Sequence, residues 1–315
     1  MLTESSLRLQ MAAIPDFLRS RRYRFPVPMH AAASAVLASA VLVAAAGFSP
    51  CSPLATAQQL PADANEFVRD VLQHEIDAEL QDQALWAYRE QKTDDGKERL
   101  FRVYQTPKGE IERLIAVNGH PLTPAQIQAE DERIQKLISH PSEMRQHQKK
   151  AREDGEQARS LLRMFSDAFL FQYDGTQGTL VRLSFTSNPK FHPPSHATQV
   201  FHHMTGTMLL EPKQKRLAAI DGTLTSEVKF AGGLFGHLDK GGTFAVHQQE
   251  VAPHLWEVTS MHVHMNGRAL LFKTIAVQQD EIDSDFHPVP DNTTLSQAAE
   301  FLRQDAQPPQ VQAKN

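Results

Sequence analysis

The chain has 315 residues, of which 37 are acidic and 32 basic, a net charge of −5, with one cysteine and 41% hydrophobic residues. That sign excludes nucleic acid and an anionic lipid surface as electrostatic partners, and a lone thiol excludes a disulfide framework. What remains is enough apolar residue for one sizeable core.

The first 57 residues are organised unlike the rest. Arg19, Arg21, Arg22 and Arg24 precede a run over 31–48 of almost only Ala, Val, Leu and Ser, and Ala55-Thr56-Ala57 supplies the small residues of a cleavage site. Together they predict a secretory signal peptide over 1–57, cut near Ala57, and a periplasmic mature protein. A membrane anchor is the alternative, because an apolar run of about 18 residues approaches spanning length. Cys51 lies inside this leader behind Pro50, where a lipoprotein signal wants a small residue, so lipidation is not expected. Cleavage leaves 27 basic and 35 acidic residues and no cysteine.

Beyond the leader, residues 61–73 read as a helix with Phe67, Val71 and Leu72 on one side. Strands follow over 85–91 and 98–106, joined through Asp95-Gly96, and Thr106-Pro107-Lys108-Gly109 turns the chain into a third over 110–117. Helical sequence then occupies about 123–173. Thr123 caps a first helix that starts at Pro124 and ends at His140-Pro141, and Ser142 caps a second. In the second, Ala158, Leu161, Leu162, Phe165, Ala168 and Phe169 fall at helical spacing, whereas 143–157 is nearly all polar. That predicts a free or peripheral start and a buried end.

From Gly178 onward the pattern is strand-like. Val181, Leu183 and Phe185 share a face over 178–186, Asn188-Pro189 and Pro193-Pro194 force a loop, and a strand over 200–210 leads into a three-strand meander over 206–230. The meander has a polar turn at 211–215 and a tight corner at Asp221-Gly222. Gly232-Gly233 and Lys240-Gly241-Gly242 bracket a short loop, and strands over 243–249, 255–265 and 268–277 follow, the last two joined by an Asn266-Gly267 hairpin. A helix over 295–302 precedes a tail, 307–315, expected to be disordered. The sum is an α+β fold: a curved antiparallel half-barrel of about ten strands with helices over its concave face, one domain over 58–306. A closed barrel without the helical lid is the alternative.

Gly206-Thr207-x-x-Leu210-Glu211-Pro212 and Arg216-Leu217-x-x-Ile220-Asp221-Gly222-x-Leu224 carry a resemblance. So do Gly241-Gly242-x-Phe244, Trp256 with Val258, and Gly267-Arg268-Ala269-Leu270-x-Phe272-Lys273. Across 61–305 the chain resembles the periplasmic lipoprotein-carrier (LolA/LolB-like) superfamily, which includes lipoprotein-sorting proteins and the sensor domains of envelope-stress regulators. The resemblance implies a hollow between half-barrel and helices that holds an acyl chain or a lipid-like ligand. The charged segment over 143–157 departs from a minimal carrier.

Met204, Met208 and Leu210 share one strand face, and Met261, Val263 and Met265 share another. Methionine is flexible and polarizable, so such stripes suit a cavity for variable apolar ligands, with Phe165, Phe169 and Phe171 of the long helix as its cover. Ordinary core packing is the competing reading. His262 and His264 lie on one strand face, with His202-His203, His192 and His196 upstream, but no His-Glu-x-x-His occurs and alternation alone produces His-x-His. No metal and no cofactor are therefore expected. The acidic run 280–285 lacks the glycine and distal glutamate of a calcium loop and reads as a solvated loop. Ser187-x-x-Lys190 is interrupted by Asn188-Pro189, and no triad or nucleophile elbow is present. The expectation is a non-enzymatic exported protein sheltering a lipid or the acyl chain of a lipoprotein, with at most transient membrane contact. An envelope sensor that binds a protein partner is the alternative, and a metal-dependent hydrolase on the late histidines a third reading.

Overall fold

The computed structural model describes residues 60–195, 197–230, 236–269 and 273–305; the leader with Cys51, Gly232-Gly233, His196, Leu270, Phe272 and the tail lie outside these. Helix α1, Ala64–Gln81, is capped by Asp63, whose carboxylate accepts from the Asn65 N–H at 2.8 Å. It runs two turns past the expected end. Ile76 continues the apolar stripe of Phe67, Val68, Val71 and Leu72, and Glu75 and Glu79 face inward with them. Those two acids made the second half read as polar; buried partners accept them, as described below.

Strands β1 (Leu85–Asp94), β2 (Lys97–Thr106), β3 (Gly109–Val117) and β4 (His120–Pro121) follow as a meander. Helix α2, Pro124–Ser139, opens on the Thr123–Gln126 capping box, as its sequence predicts. Helix α3 spans Pro141–Ala168, without a side-chain cap from Ser142. Its start is docked rather than free: Met144 packs with Ile111, Ile134 and Leu302. Strands β5 (Phe169–Gln177) and β6 (Leu180–Ser187), a 3₁₀ helix at Ala197–His203, and strands β7 (Met204–Glu211), β8 (Arg216–Leu224), β9 (Val228–Phe230) and β10 (Gly236–Leu238) come next. Then β11 (Thr243–Ala252), β12 (Leu255–Ala269) and β13 (Lys273–Val289) lead to helix α4, Leu295–Asp305.

Among the described residues, thirteen strands form one antiparallel sheet in the order β4-β3-β2-β1-β13-β12-β11-β8-β7-β6-β5, with β10 on β12 and β9 on β10. The sheet is open: β4 and β5 are its two ends. The fold is α+β as expected, with more strands than the ten counted from sequence.

Side chains directly opposite one another share a face, so the register sorts the molecule into two. Tyr173, Leu183, Met208, Ile220, Val246 and Met261 follow one another across β5, β6, β7, β8, β11 and β12. This face carries α1 and the C-terminal half of α3, packed into one large core. On the other face, Tyr104 and Ile111 meet α2, the start of α3, and α4 through Ile134, Met144, Ala298 and Leu302. Helices therefore lie on both faces, with α1 over the larger core.

Five local expectations are corrected. Residues 169–173 are strand, not helix: Phe169 and Phe171 are buried while Leu170 and Gln172 are exposed, and the Phe165–Phe169 spacing coincides with a helical one only across the junction. The strand expected over 200–210 begins at Met204, after the 3₁₀ turn. Asp221-Gly222 is no corner, because β8 runs through it; a Cβ on Gly222 would sit 2.1 Å from the Phe244 ring, so glycine is there for close approach. Asn266-Gly267 lies mid-strand in β12, paired with Ala276 and Ile275, and a Cβ on Gly267 would lie 2.2 Å from the His237 carbonyl of β10. The acidic run 280–285 is not a loop but the middle of β13.

Candidate functional site

All eight expected site residues fall in the single core beneath α1. Met204, Met208 and Leu210 (β7), Met261, Val263 and Met265 (β12), Phe165 (α3) and Phe169 (β5) are buried together with Phe67, Val71, Leu72 and Ile76 of α1. The two methionine stripes are three strand spacings apart, about 14 Å, and Ile220, Leu224, Phe244 and Val246 of β8 and β11 fill the gap. The Phe165 ring centre lies 4.4 Å from that of Phe169, tilted, and 5.2 Å from that of Phe185, edge-on, and Phe169 lies 5.4 Å from Phe201. Phe165 is on the helix, whereas Phe169 and Phe171 belong to the sheet.

Beyond Met261 the same row changes chemistry. Met261 faces Glu281, Glu281 faces Lys92, and Lys92 faces Arg99. One step along, Glu90 faces Asp283 and Phe101. Glu90 and Glu281 are 1% exposed and Asp283 4%, so a group of carboxylates is buried on the face that is apolar from the neighbouring strand β12 onward. Oxygens of Glu90, Glu281 and Asp283 lie within 4.8 Å of one another, close enough to hold a cation. Lys92 ion-pairs with Glu90, reaches Glu112 Oε2 at 3.5 Å, and sits 5.1 Å from the Phe101 ring centre. Trp86, Tyr88, Phe101 and Val103 close this end, joined by Phe286 and by Val251, Ala252 and Leu255 of the β11–β12 hairpin.

Sequence reasoning missed this charged end. A signal was present, since Trp86, Tyr88, Glu90 and Lys92 alternate with Arg89 and Gln91, and Glu281 and Asp283 alternate around Ile282. Period-2 alternation was legible, but the polar set faces in and Ile282 faces out, against the usual assumption.

Two ion pairs tie α1 down on the apolar side. Arg216 of β8 donates from Nε and Nη2 to the two oxygens of Glu75, each at 2.9 Å, and the Leu217 N–H adds a third bond at 2.9 Å. Arg159 of α3 donates to Glu79 at 3.0 Å. The forked, buried Arg216–Glu75 pair holds the helix in one position.

The opposite face carries the histidines. His262 Nδ1 lies 2.7 Å and His264 Nε2 2.9 Å from the same Asp280 oxygen. Next to them, His247 Nε2 is 3.3 Å from Asp221 Oδ1. The bond to Asp221 raises the His247 pKa above its ordinary value, and partial burial opposes this. His202 and His203 lie apart in the 3₁₀ turn, where burial and its neighbour His202 lower the pKa of His203.

No family model matches the chain, and none of the curated proteins does. Similarity is found among solved structures. One such structure is a DUF1329 family protein from Desulfovibrio piger, similar over 76% of this chain and 99% of that one, at 8% identity and a TM-score of 0.27. Among the described residues, no helix is long and apolar enough to cross a membrane.

Proposed function

We propose that the chain is an exported, non-enzymatic binding protein that shelters a lipid or the acyl chain of a lipoprotein between α1 and the sheet face beneath it. One observation carries the reading: four methionines, Met204, Met208, Met261 and Met265, stand on the broad apolar face that α1 covers. Methionines repack around different shapes, and each ligand methylene buried there adds about 0.8 kcal/mol. In this reading a ligand enters the buried core as α1 lifts from the sheet. The pairs Glu75–Arg216 and Glu79–Arg159 set the resistance to that movement.

Native mass spectrometry and lipid extraction of protein isolated from its own periplasm test the proposal, together with displacement of a fluorescent fatty acid. Co-purified lipid or saturable displacement supports it; a ligand-free protein that also fails to bind the probe overturns it. A second reading, docking of an envelope protein, is favoured by one feature: Arg145, Lys149, Lys150, Arg152 and Glu153 stand exposed along α3. Charge reversal at Lys149 and Lys150 separates the two, since it weakens a protein complex and leaves fatty-acid binding unchanged.

A further inference from the structure

We propose that His262, His264 and Asp280 form a binding site for a divalent transition-metal ion of the zinc type, on the face of the sheet opposite α1. Three side chains with nitrogen or oxygen donors stand side by side there on two adjacent strands. Asp280 on β13 lies directly opposite His262 on β12, and His264 stands one pleat along on the same side. Both imidazoles already point a ring nitrogen at one carboxylate oxygen, at 2.7 and 2.9 Å.

The chemistry of the set fits such an ion. Neutral imidazoles with one carboxylate suit zinc, copper and nickel, and three protein ligands leave a coordination position open to water or a further group. In the metal-free arrangement each histidine shares a hydrogen bond with Asp280; an ion lodged among the three takes the place of those contacts. All three side chains are part-exposed, so small rotations bring the donors to the metal distance of about 2.1 Å while the strands hold their Cβ positions. In the flanking row Asp221, Ala245, His262 and Asp280 face one another across β8, β11, β12 and β13, so a second carboxylate stands on the same face.

The test is zinc chloride titrated into the untagged chain lacking residues 1–57, at pH about 7.5, followed by calorimetry and by imidazole nitrogen NMR. One zinc per chain is expected, with ring-nitrogen shifts at His262 and His264. His262→Ala with His264→Ala, and separately Asp280→Asn, weaken binding at least about tenfold, and acidification weakens it in the unsubstituted chain because protons compete for the ligand nitrogens. Absence of zinc binding, equal affinity in the double variant, or shifts confined to other histidines overturns the proposal. The NMR readout on the unsubstituted chain decides the matter even if a variant fails to fold.

Discussion

Strands β12 and β13 are hydrogen-bonded neighbours, and the boundary between them divides the α1 face into two regions. On one side Met261, Val263 and Met265 merge into an apolar core; on the other Glu281 and Asp283, equally buried, meet Glu90 and Lys92. The apolar region is held by non-directional burial, so many side chains of similar volume can share the load. In the charged region the cost of removing carboxylates from water is recovered only through specific partners and geometry. The same pleat therefore supports a tolerant region and an intolerant one a single strand apart.

The largest effect is expected at the charged end. Lys92→Met takes from Glu90 and Glu112 the cation they share, and a loss of about 3–5 kcal/mol is expected in urea denaturation. A loss below about 1 kcal/mol would show that the two regions do not differ in tolerance. Met208→Ala, in the apolar region, leaves a void and costs about 2–5 kcal/mol, whereas Met208→Leu costs less than about 1.5 kcal/mol. Equal losses for the two substitutions would contradict a core that tolerates reshaping. Gly222→Ala forces a Cβ into the Phe244 ring and costs about 1–3 kcal/mol, readable as a lowered melting temperature.

The smallest effect lies on the far face and depends on pH. Because His247 has a raised pKa in the folded chain, the Asp221–His247 contact stabilises fully below the ordinary imidazole value of 6.5. It fades as pH rises through the folded value. The stability gap between the unsubstituted chain and Asp221→Asn should therefore be widest near pH about 5.5 and close above neutrality; a gap independent of pH would remove the contact from the account.

Within the apolar region the sequence was nearly sufficient. Alternation of Val181, Leu183 and Phe185, the Met204–Met208–Leu210 face, and the Met261–Val263–Met265 face all appear as buried stripes, because apolar residues at period 2 have few other places to go. In the charged region the same period misled, since Glu281 and Asp283 mark a strand interior only once Glu90 and Lys92 are known to lie opposite. Gly222 and Gly267 misled for a related reason: each resembles a turn residue, yet each is glycine because something from another strand comes close.

Local composition and period thus determined the α+β class, the order of most elements and the apolar face, all of which depend on neighbours in sequence. Only the tertiary structure decided which residues stand opposite one another. Strand register carries no local signature, and it is register that buries Glu90, Glu281 and Asp283 together and brings Asp280 between His262 and His264.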